Sequence, residues 1–165
     1  MKFPMRTPLV VSLAVVGLML GMPAQAEESD YDKAVHVYGC ADYPKAFNLF
    51  KPLAEKGDAL AQFQVGMMIE QGQGAEVDFA SAYQWYMKAA EQGMADAYFA
   101  LGQLYARGLA VAQDPVQAYA WFDLAVRDGH AVAGDWLNMQ ANKMMPEQIQ
   151  QARRVADEWL QKLKK

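Results

Sequence analysis

Few side chains in this 165-residue chain are placed to do chemistry. Its two histidines, His36 and His130, stand far apart, and neither has a carboxylate or cysteine partner at ligand spacing. Asp128 near His130 reads as a loop neighbour, because a metal site needs several converging donors. Asp42, Asp78 and Asp114 recur together, each ahead of a segment with helical periodicity. There a carboxylate accepts from the unpaired amides of the first turn, so these are caps before they are acids. Gly72-Gln73-Gly74 lacks the preceding strand and following lysine of a phosphate loop, and reads as a turn. Met67, Met68, Met87, Met94, Met139, Met144 and Met145 form no Met-x-x-Met ladder that could converge on a soft metal. They suit gap-filling core or a binding surface. No catalytic residue, cofactor or metal is assigned. The single cysteine, Cys40, allows no internal disulfide. It reads as a partly buried, inert thiol, with a pair to another chain as the alternative.

Around these residues, the chain repeats itself at an offset of 36 without an insertion. Ala46, Ala82 and Ala118 align, as do Gly57, Gly93 and Gly129, then Ala61, Ala97 and Ala133. Gly66 pairs with Gly102, and Gly72 with Gly108. A period of this length marks a solenoid, whose units bury their apolar faces only against one another. Each unit decodes as two antiparallel helices. In the middle copy, Ala82, Trp85, Tyr86, Ala89 and Ala90 make one amphipathic stripe, and Gly93 closes it. A second helix is expected over 95–107, ending at Gly108, with Ala97, Leu101, Gly102 and Tyr105 on its packing face. Trp85 and Tyr105 are expected to fill the space that the small residues leave. In the third copy Pro115 suits the first helical position. In the first, Pro52 should bend or shorten its helix near Leu49. Tyr31 to Gly39 reads as a short leading helix, and Pro146 to Leu163 as a terminal cap. The expected architecture is an all-α solenoid with repeats at 42–77, 78–113 and 114–143 and a cap at 146–163.

Residues 1–26 are expected to be removed. Lys2 and Arg6 precede an apolar run from Leu9 to Met22, and Ala24-Gln25-Ala26 is a small-residue cleavage pattern. The remaining domain, 27–165, would then be periplasmic or secreted, with no stable membrane insertion. The net charge of −4 becomes −6 once those two basic residues are lost. An acidic chain lacks the basic face that nucleic acid demands. Lys162, Lys164 and Lys165 suit a helix end, where they meet the negative pole of the macrodipole.

The residues Trp85-Tyr86-Met87-Lys88-Ala89-Ala90, Gly93, Ala97, Leu101-Gly102, Tyr105 and Gly108 resemble the Sel1-like repeat, a relative of the tetratricopeptide repeat. The likeness covers about 42–143. It implies an α-solenoid that acts as a scaffold or regulator in protein complexes. Leu49 departs from the pattern's tryptophan, Ala110 from its second glycine, and Asn138 and Met144 from the glycines of the last copy. A cysteine-rich branch of the family is associated with penicillin-type ligands. Cys40 alone does not supply that branch's framework, so its activity is not carried over.

The resemblance also implies that the first helix of each pair lines a concave face. The side opposite Leu101, Gly102 and Tyr105 carries Asp96, Phe99, Gln103 and Arg107; the equivalents are Leu60, Phe63 and Met67 before, and Val132, Asp135 and Met139 after. These ten residues form the candidate protein-binding face, suited to an extended peptide or a helix. Phe63 and Phe99 have two readings, as the floor of a groove or as packing between repeats. The function expected is an exported module that binds a protein partner. The alternative is a cell-wall glycan binder, with weak hydrolysis at most, using exposed Tyr98 and Tyr119 with Asp96 and Asp123.

Overall fold

The computed structural model describes residues 28–163, so the apolar run and cleavage pattern expected of residues 1–26 lie outside the described residues. Among them are eight helices and no strand: α1 (Asp30–Gly39), α2 (Tyr43–Glu55), α3 (Ala59–Gln71), α4 (Phe79–Ala90), α5 (Ala95–Arg107), α6 (Pro115–Arg127), α7 (Ala133–Ala141) and α8 (Pro146–Leu163). The chain is an all-α solenoid. From α1 to α7 each helix packs on its neighbours in sequence, and α8 then folds back onto α6.

The recurring aspartates set the helix starts. Asp42 accepts from the Lys45 amide, Asp78 from Ala80 and Ser81, and Asp114 from Val116 and Gln117. Each bond satisfies a first-turn donor that the helix itself cannot pair. Asp58 caps α3 in the same way, through the Ala61 amide at 2.8 Å. At the other ends, Gly72 and Gly108 close α3 and α5 in the left-handed region, at φ 70° in both.

Between helices, the packing rests on an aromatic ring laid against a helix that has no side chain at that point. A Cβ placed on Gly66 would lie 2.8 Å from the Tyr86 ring, and one on Gly102 would lie 2.6 Å from the Phe122 ring. Tyr86 and Phe122 are themselves buried, as is Phe50 at the same register in α2. Buried alanines at 46, 82 and 118, and at 61, 97 and 133, let the remaining backbones approach. Tyr105 is half-buried, and its hydroxyl lies 3.3 Å from that of Tyr83.

Three local expectations are corrected. Pro52 does not shorten α2, which runs unbroken to Glu55. Pro52 and Asn48 both face solvent, so the carbonyl that loses its amide donor meets water instead. Cys40 is exposed, at the C-cap of α1. Trp85 is half-buried with the Lys88 ammonium 4.0 Å from its ring, whereas Trp121 at the same register is fully buried. The difference is α8, whose Trp159 lies 4.7 Å from Trp121 and donates to Gln117 Oε1 at 2.9 Å. Ala110 adopts φ 63°, the left-handed conformation that Gly74 supplies one repeat earlier. An L-residue there carries a strain of about 1 kcal/mol.

Gly102→Ala should cost about 1–3 kcal/mol, because the added methyl drives into a ring that is fully packed. In chemical denaturation, Phe122→Leu should suppress much of that loss. Simple additivity of the two changes would show that the ring does not set the constraint.

Candidate functional site

Helical spacing brings one face of α3 beside the same face of α5. Phe63, Met67, Glu70 and Gln71 project from α3, and Asp96, Phe99, Ala100 and Gln103 from α5. With Tyr86 and His130 they enclose a cleft of about 210 Å3. A second cleft, of about 500 Å3, lies between the ends of α5 and α7; Arg107, Trp136, Met139 and Lys143 are among its walls. Five of the ten residues read from sequence as a face therefore meet in the first cleft: Phe63, Met67, Asp96, Phe99 and Gln103. Arg107 and Met139 line the second. Leu60, Val132 and Asp135 are exposed but line neither.

The two readings of the phenylalanines both hold. Phe63 is half-buried, its ring centroid 5.6 Å from that of Tyr86. Phe99 stacks on His130 at 4.3 Å and touches Phe122 and Trp136 at 5.6 and 5.7 Å. Each ring thus fills inter-repeat space and presents the rest of its surface to the cleft. Sequence reasoning placed Glu70 on this face but missed His130, Trp136 and Tyr86 as parts of the site. Register was the signal for His130: it is the counterpart of Met94, also half-buried where the next helix begins.

Polar groups tie the cleft to the core. The Tyr86 hydroxyl donates to Glu70 Oε2 at 2.7 Å, and Arg107 Nη1 lies 3.4 Å from Glu70 Oε1. Burial, and then the Glu70 carboxylate beside it, push the Tyr86 phenol well above its ordinary range, so it stays a donor. His130 Nε2 lies 3.4 Å from Asp96 Oδ1, while its Nδ1 is buried without a hydrogen-bond partner. Among the described residues no three of His, Cys, Asp or Glu are grouped to hold a metal ion. The side chains offered for glycan binding do not form a platform. Tyr98 and Tyr119 are buried, at 2% and 4% exposure, and Asp123 pairs with Arg127 at 2.6 Å.

Stacked helical hairpins that bury their apolar sides against one another define a repeat solenoid. The Sel1 repeat profile matches residues 41–58, 59–94 and 95–130, and the chain belongs to the Sel1 repeat family. That profile opens its units at Ala59 and Ala95, which makes α3 and α5 the leading helices. Two solved structures are similar. One is a protective antigen present in uropathogenic Escherichia coli strains that displays an SLR fold; it is 33% identical, with a TM-score of 0.76 over 81% of this chain and 30% of that one. Another is a Sel1 repeat protein from Oxalobacter formigenes, 29% identical, with a TM-score of 0.63 over 77% of this chain and 54% of that one. This chain therefore spans well under two thirds of either. No curated protein matches it. Sel1 repeat proteins are generally protein-interaction modules, and their fold is typically a non-catalytic scaffold.

Phe99→Ala should cost about 2–4 kcal/mol, since it empties space shared with Phe122, His130 and Trp136. Met139→Ala, at an exposed position, should stay within about 0.5 kcal/mol. Thermal melts of the two variants separate the part of the face that holds the fold from the part free to bind.

Proposed function

We propose that this chain is an exported interaction module, a scaffold, adaptor or regulator of an envelope complex, that holds a peptide or protein segment along α3, α5 and α7. One observation carries the reading: the two clefts are neighbours, with a ring from each in contact. Phe99 lines the first, Trp136 the second, and their rings meet edge to face at 5.7 Å. The joined surface offers Phe63, Met67, Phe99, Trp136 and Met139 as apolar anchors within a polar rim. Aromatic and methionine side chains are the types that concentrate at the centre of binding interfaces. Export is supported by the basic start, the apolar run and the cleavage pattern of residues 1–26. Among the described residues no helix is long and apolar enough to cross a membrane.

The test is capture from an envelope extract, read by mass spectrometry. Met67→Asp with Met139→Asp should lower enrichment of the captured protein about tenfold or more, with the melting temperature changed by only a few degrees. Gln84→Asp, at an exposed site on α4 outside both clefts, should leave capture intact. Equal capture by the double variant would remove the concave face from the function.

A further inference from the structure

The two clefts carry opposite charge. Glu70 and Asp96 line the first; Arg107 and Lys143 line the second, which has no carboxylate. Arg107 and Lys143 stand 36 residues apart, at one register of the repeat, near the ends of α5 and α7. Their counterpart at the end of α3 is Gln71, so that register does not require a cation to close its helix. Lys143 has no ion pair among the described residues. Arg107 has only the 3.4 Å contact with Glu70, with its side chain 55% exposed. A cleft lined by two cations and no carboxylate, on a chain of net charge −4, runs against the background field.

The geometry points to the second cleft as the seat for the free C-terminal carboxylate of the bound segment, with its last side chain against Trp136 and Met139. This rests on the reading of the concave face as a peptide-binding surface. The cleft's size favours a chain terminus over the carboxylate of an acidic side chain. A cavity of about 500 Å3 accepts a whole terminal residue, not only a charged head. The amides favour it too. Gln113 Nε2 donates to the Ala106 carbonyl and Gln140 Nε2 to that of Pro115, which leaves each amide oxygen as the acceptor end of a residue lining the same cleft. A peptide terminus supplies both complements within one residue: a carboxylate for Arg107 and Lys143, and an N–H for an amide oxygen. The segment then has a direction. Its end sits between α5 and α7, and its upstream residues cross Phe99 into the cleft of Phe63 and Met67. There Glu70 and Asp96 favour a basic or amino-bearing side chain.

The experiment selects peptides on the full chain from two displayed libraries, one with free C-termini and one with blocked C-termini. Selected sequences are resynthesised as the free acid and as the C-terminal amide, and affinities are read by fluorescence anisotropy. The free-terminus library should yield the binders, and amidation should weaken them about tenfold or more. Lys143→Glu should weaken the acid to a similar degree while leaving the amide unchanged, and Arg107→Gln should act in the same direction. Circular dichroism checks that both variants keep their helices. Binders that tolerate amidation but are lost with Met67→Asp would overturn this assignment and leave the peptide-binding reading standing. The assignment falls in the same way if internal glutamates, rather than the terminus, carry the Lys143 dependence. No binder from either library would overturn both.

Discussion

An aromatic ring resting on bare backbone fixes this molecule. At Gly66 and Gly102 the helix offers no side chain, and Tyr86 and Phe122 use the space directly. Because packed interiors tolerate little change in volume, that contact sets how closely α3 approaches α4 and α5 approaches α6. The first cleft forms beside it. Beside each pinned ring, Phe63 and Phe99 lean on Tyr86 and Phe122 and, with Met67 and Gln103, line the first cleft. Asp caps start α2, α3, α4 and α6, and left-handed glycines close α3 and α5, which helps neighbouring units keep register.

A second layer of polar contacts couples units that the rings only space. Gln92 donates to the Gly57 carbonyl and to Gln62 Oε1, and Gln62 in turn donates to the Ala54 carbonyl. The buried Gln62 amide is costly if unmet, and Gln92 supplies its oxygen with a donor, which ties α2 and α3 to the turn after α4. Tyr86 plays both parts. Its ring lies on Gly66, while its hydroxyl reaches Glu70 at the edge of the cleft. The residue that spaces the helices also orients a charge on the candidate surface.

What was legible in the sequence is what repeats. The period, the aspartate caps, the span of α5 and the start of α6 at Pro115 came from local spacing, because helix periodicity and capping are local physics. What escaped depends on a helix that does not repeat. α8 places Trp159 on Trp121, and Leu160 and Leu163 share a cleft with Tyr98. Tyr119 is buried near Arg153, on the same helix. Tyrosines that look available in a repeat are covered by a segment from outside it. The candidate site shows the same division. Its stripe along α3 and α5 was readable, whereas His130 and Trp136 entered it through contacts between turns and helices far apart in sequence. Pro52 was misleading because helix breaking depends on whether the orphaned carbonyl is wet.

The place where α8 docks has a mechanical consequence. By settling on α6, it leaves the nine-residue α7 seated mainly on that same helix, with Trp136 wedged against Phe99 and Phe122. α3 and α5 are each clamped by a helix on either side. The first cleft is thus a fixed jaw with a set bite. The second has one jaw, α7, that is braced from a single side, so its set depends on one helix contact and one indole.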